Sequence, residues 1–232
     1  LLREALERDQ DAFRALRTRG QIALILVLTG AADQARAEME RIEVREVATP
    51  SLTEVLSSKR ALAYALLDER VKATAEAFKI EGKIDRLGQR GLFHTYTDYP
   101  TELAEIYRLL GRPQEAQRWS EVASSYWSRL ACVTEVEKLI MFWEFEVVRA
   151  KVLAAQGEHK QALAVLGSAQ VPLASAGHHL QAELLLVMGK SLRALDDEVA
   201  AEATLKKSVE VARRFSRPQI EREARGLLEA GQ

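Results

Sequence analysis

Gly189-Lys190-Ser191 has the residue types that close a phosphate-binding loop, where backbone N–H groups and a lysine cradle phosphate oxygens. That chemistry also needs a glycine five residues earlier and a preceding strand. Leu184 occupies the first place and nothing strand-like precedes it, so the triplet reads as part of a helix. Metal ligation is the next possibility. The histidines are His94, His159, His178 and His179, and no two share the i, i+4 spacing that would set both imidazoles on one helical face. They read as loop or surface histidines. Cys132 is the sole cysteine, so it forms no intramolecular disulfide and reads as a buried bystander suited to a reducing compartment. No Gly-x-Ser-x-Gly elbow is present, and no Cys/His or Ser/His arrangement stands out as a nucleophile with its base. The expectation is a chain with no catalytic residues, no metal and no cofactor, and not an enzyme.

The chain has 232 residues, 47% hydrophobic and 29% charged, which is enough apolar material for one large domain or a repeat array. Lys and Arg total 33 against 34 Asp and Glu, so the net charge of -1 gives no bulk attraction to nucleic acid or to an anionic membrane. The longest apolar run, Ile22–Leu28, falls far short of the roughly 20 residues that cross a bilayer. With no transmembrane span or signal peptide in view, a cytoplasmic protein is expected. Because the chain opens on Leu1 in what already reads as an amphipathic helix to Arg17, it is expected to be a piece of a larger protein. Only five prolines and few alternating β-branched residues point to an all-α fold.

What positions any functional residue is a recurring template. In Thr101–Ala123 a small residue, Ala104, is followed by a large one at Tyr107, a helix-capping Gly111 and a second small residue, Ala116. The same order returns at Ala23, Leu26, Gly30, Ala35; at Ala61, Tyr64, Asp68, Ala73; at Ala150, Leu153, Gly157, Ala162; and at Gly189, Leu192, Asp196, Ala201. A sixth start is Ala224, Leu227, Gly231. The first small residues stand at 23, 61, 104, 150, 189 and 224, at intervals of 38, 43, 46, 39 and 35. A lone helical hairpin of this kind cannot bury its apolar face, so stacking is required. Between hairpins, Thr49-Pro50-Ser51 reads as a turn and cap, Gly82 and Gly88–Gly91 as breaks, Tyr99-Pro100-Thr101 as a helix restart, and Gly167–Gly177 as a looser connection. None looks like a domain boundary, so 1–232 is expected to be one array.

This template and period resemble the tetratricopeptide repeat family, in a degenerate, long-period form similar to the repeat regions of bacterial signal-responsive transcription regulators. The family's early aromatic survives only as Trp143, its closing proline is displaced to Pro172, and most intervals exceed the family's period of about 34. The resemblance implies a right-handed α-solenoid whose first helices line a concave face. Carried over, the lining positions one and four residues after the first small residue are Leu24 and Val27, Leu62 and Ala65, Glu105 and Arg108, Lys151 and Ala154, Lys190 and Arg193, and Arg225 and Leu228. The early set is apolar and the later set cationic except for Glu105, so the implied ligand is a protein or a peptide, with an acidic segment suited to the cationic half, bound by a scaffold module. The alternative is a ligand-sensing regulatory segment of a larger bacterial transcription regulator, with a small-molecule effector. Family members that clamp a peptide carboxylate use asparagine, and this chain has none. Trp119, Tyr126, Trp127, Phe142, Trp143 and Phe145 read as helix–helix core, with the 91–99 loop as the nearest lid. Ile22–Leu28, apolar on more than one side, leaves room for pairing into a homodimer.

Overall fold

The computed structural model describes residues 12–43, 50–88, 98–129, 136–175 and 177–230. Gly231, His94, the 91–97 part of the proposed lid, and Cys132 lie outside them. Among the described residues all regular structure is α-helical: α1 (Ala12–Leu28), α2 (Ala32–Glu43), α3 (Pro50–Leu66), α4 (Arg70–Gly88), α5 (Asp98–Leu109), α6 (Pro113–Arg129), α7 (Val136–Ala155), α8 (His159–Ser175), α9 (Leu180–Ala194), α10 (Glu198–Arg214) and α11 (Pro218–Ala230).

The residues fall into two compact units, Leu1–Leu110 and Gly111–Gln232. In the first, α1 packs on α2, α3 packs on α4, and the leading helices stack directly, α1 on α3 and α3 on α5. In the second, α7 pairs with α8 and α9 with α10, while the leading helices α7, α9 and α11 again stack in file. Each unit is therefore a row of helical hairpins sharing one interior, and the fold is all-α and solenoid-like.

The template explains why. Its first small residues, Ala23, Ala61, Ala104, Ala150 and Ala224, are all at most 1% exposed, and so are Ala35, Ala73, Ala116, Ala162 and Ala201. At the capping place every described residue has the left-handed backbone the template requires: Gly30, Asp68, Gly111, Gly157 and Asp196 all have positive φ. Gly157 N–H bonds the Ala154 carbonyl and Glu158 N–H bonds the Leu153 carbonyl, the paired bonds that close a helix before the chain reverses. Asp196 makes the same turn without glycine, with Asp197 N–H on the Leu192 carbonyl and the Asp197 carboxylate capping α10 at Ala200 N–H. The turns leading from one hairpin to the next use the same device at Gly177 and Ser216, which the template did not predict.

Several expected boundaries move. Arg17 belongs to α1 together with Ala23, so from Ala12 onward no turn separates the opening helix from the first hairpin. Helix α3 begins at Pro50, placing Ser51 inside it instead of at a cap. Gly82 is interior to α4, and Gly167 and Pro172 lie within α8, which narrows the expected loose connection to the residues just before α9. Glycine costs a helix about 1 kcal/mol, which tertiary packing overrides.

Gly189 lies at a close helix crossing. A Cβ there would sit 2.6 Å from Leu205 Cγ and 2.7 Å from its Cδ2, with Leu205 fully buried. Gly167 has nothing within 4 Å of the same position. In urea titrations Gly189→Ala is expected to lose about 1–2 kcal/mol to overpacking despite the better helix former, while Gly167→Ala gains about 0.5–1 kcal/mol.

Candidate functional site: the leading-helix faces

In the first unit the apolar residues divide between core and surface. Leu24 and Leu62 are half-buried, but Val27 and Ala65 are packed into the core, which corrects their assignment as lining residues. Val27 lies four residues after Ala23, nearly one turn on, and so follows that alanine inward. Glu105 is 8% exposed and takes two hydrogen bonds from the Arg108 guanidinium, at 2.7 and 3.0 Å, so this pair presents a neutral fork instead of a cation. Lys59 of α3 bridges to Glu102 of α5.

The cations of the second unit are engaged in the same way. Lys151 of α7 is 12% exposed at its side chain and pairs with Glu183 of α9. Lys190 of α9 pairs with Glu223 of α11, both about half exposed. Arg193 donates to the Leu227 carbonyl of α11 and to Glu198 at 3.1 Å. Arg225 meets Glu221 at 2.8 Å, and Glu221 also meets Arg213 at 2.7 Å. Lys151 and Lys190 thus tie α7 to α9 and α9 to α11, and the cationic wall expected from the sequence is largely neutralised, by acids one hairpin further along for these lysines and by acids of the same helix or hairpin for Arg108, Arg193 and Arg225. A search for a carboxylate about one repeat beyond each lysine would have found these partners.

Glu146 of α7 is buried and meets Arg149 at 3.4 Å, and burial raises its carboxyl above the usual range. The expected aromatic core is present: Trp127, Phe142 and Phe145 form a mutual cluster, and Phe142 meets Trp143 edge-on at 5.0 Å. Among the described residues the buried indole N–H groups of Trp127 and Trp143 find no acceptor. Among the described residues no group of three His, Cys, Asp or Glu side chains is placed to hold a metal, and no helix is long and apolar enough to cross a membrane.

Two solved structures share the fold of stacked helical hairpins. The crystal structure of Bacillus thuringiensis PlcR in complex with the peptide PapR7 and DNA matches 94% of this chain and 76% of that one, with a TM-score of 0.70 and 15% identity. The fold is a helical-repeat array. The crystal structure of Rap protein complexed with Competence and Sporulation Factor matches 93% of this chain and 70% of that one, with a TM-score of 0.51 and 15% identity. No family model and no curated protein sequence matches the chain. At 15% identity the likeness to these two structures is one of fold.

Proposed function

We propose that this chain is a peptide-binding module built of tetratricopeptide-like hairpins, which takes its ligand on a leading-helix face. The observation that carries the reading is the match to PlcR over 94% of the chain, because that structure is a complex with a peptide. The face of α7, α9 and α11 is the proposed surface in the second unit, where Lys190 and Arg193 stand ready to exchange an internal partner for a ligand carboxylate. Because those cations are already paired, their net contribution is modest, about 0.2–1 kcal/mol each, and shape and apolar contacts supply most of the affinity. The half-buried Leu24 and Leu62 are the apolar lining positions proposed in the first unit. The presence of DNA beside the peptide in the PlcR structure supports a second, narrower reading, a regulatory segment of a bacterial transcription regulator.

The test is selection from a displayed library of short random peptides, followed by calorimetric titration of the best binder. Arg193→Ala and Lys190→Ala are expected to weaken it severalfold each. A binder indifferent to both, and to Arg225→Ala, would move the site off this face. Lys190→Glu is a poorer probe, since it sets a second carboxylate beside Glu223 and lowers stability as well.

A further inference from the structure

Successive turns between hairpins lie at the same end of a stacked pair, so the 177–179 turn before α9 and the 215–217 turn before α11 are neighbours. The first carries His178 and His179, whose rings lie 4.2 Å apart between centroids, tilted by 35°. The second carries Arg217. Its charge bears on both imidazoles and, with burial as the larger cause, pushes their basicity down, to about 4 for His179. Among the described residues no carboxylate pairs with Arg217, and its Nε is sealed from solvent without an acceptor. Of the nearby acids, Glu183 of α9 bridges to Lys151 of α7 while its charge still favours the protonated His179 ring, a smaller effect than burial and Arg217, and Glu221 of α11 is held by Arg213 and Arg225. His178 Nδ1 accepts from Leu180 N–H at 3.3 Å, which puts the proton of the neutral ring on Nε2, where it is available as a donor.

We propose that these two turns form an oxyanion site, in which the Arg217 guanidinium and the His178 Nε2–H hold a carboxylate or phosphate-type group beside the His179 ring. A guanidinium fork and an imidazole N–H are donors only, and together they match the acceptor-only oxygens of such a group. The site is independent of the leading-helix face and does not rest on the peptide reading. Occupancy couples to protonation. The empty site disfavours charged imidazoles, whereas a bound anion favours them, so binding takes up protons and strengthens as pH falls.

The test follows the imidazole resonances of His178 and His179 by NMR in the full chain. Sodium sulfate, which keeps its charge across the range, probes the phosphate-type group, sodium formate probes the carboxylate, and sodium chloride at matched ionic strength is the control. Saturable upward movement of both titration midpoints with sulfate or formate supports the site, and the anion that acts identifies the chemistry. Sulfate should bind on the order of tenfold more tightly at pH 5 than at pH 7.5. Arg217→Gln should raise the midpoints without any anion and abolish the response to added anion, while Arg217→Lys keeps a weakened response. Midpoints that follow ionic strength alike in chloride and sulfate, or that respond equally in Arg217→Gln, would overturn the proposal.

Discussion

Phe145→Ala should cost about 3–5 kcal/mol of folding stability. Phe145 is 2% exposed and packs with Trp127 of α6 at 6.3 Å and Phe142 at 6.2 Å, so its ring is shared between helices that belong to different hairpins. Removing it takes away the transfer free energy of a large aromatic and leaves a hole between rings that cannot easily close, because Trp127 is itself pinned beside buried Ala123. Against a typical total of about 5–15 kcal/mol, such a loss brings the unit near its unfolding threshold. Urea denaturation monitored by helix content checks it. A loss below about 1 kcal/mol would show that the aromatic cluster is not part of the shared interior.

The second large effect distinguishes two ion pairs of similar sequence spacing. Lys151→Ala is expected to cost about 2–3 kcal/mol, because it leaves Glu183 facing a partly dry interior without its partner. Lys190→Ala should cost no more than about 1 kcal/mol, since Lys190 and Glu223 are both well solvated. Side-chain exposures of 12% and 23% for Lys151 and Glu183, against 43% and 49% for Lys190 and Glu223, carry the difference. Double-mutant cycles on the two pairs measure it directly. Equal coupling energies would mean that burial does not govern the interactions between leading helices.

How much of this was legible in the sequence depends on the range of the interaction. The small, large, cap, small order is set within a dozen residues. From it alone the hairpins, the burial of Ala61 and Ala150, and the left-handed turns at Asp68 and Gly157 could be read. Ser216 escaped because serine carries little signal for positive φ, although Pro218 two residues later marks the helix start that follows. The ends of α4 and α8 were misplaced because Gly82 and Gly167 look like breaks in a linear reading, while packing carries a helix straight through them. Charge pairing was invisible for a different reason. The partners of Lys59 and Lys190 lie 43 and 33 residues away, one hairpin further on, so a single helix face read by itself is cationic while the folded face is close to neutral. Val27 and Glu105 were assigned to a surface by position in a motif, and burial overrides that assignment.

Amide hydrogen exchange, with and without a selected peptide, most directly tests whether the leading helices receive the ligand. In the second unit the account predicts protection concentrated in α7, α9 and α11, with α8 and α10 little changed. Protection centred on α8 and α10, or none on either set in the presence of saturating peptide, would contradict it.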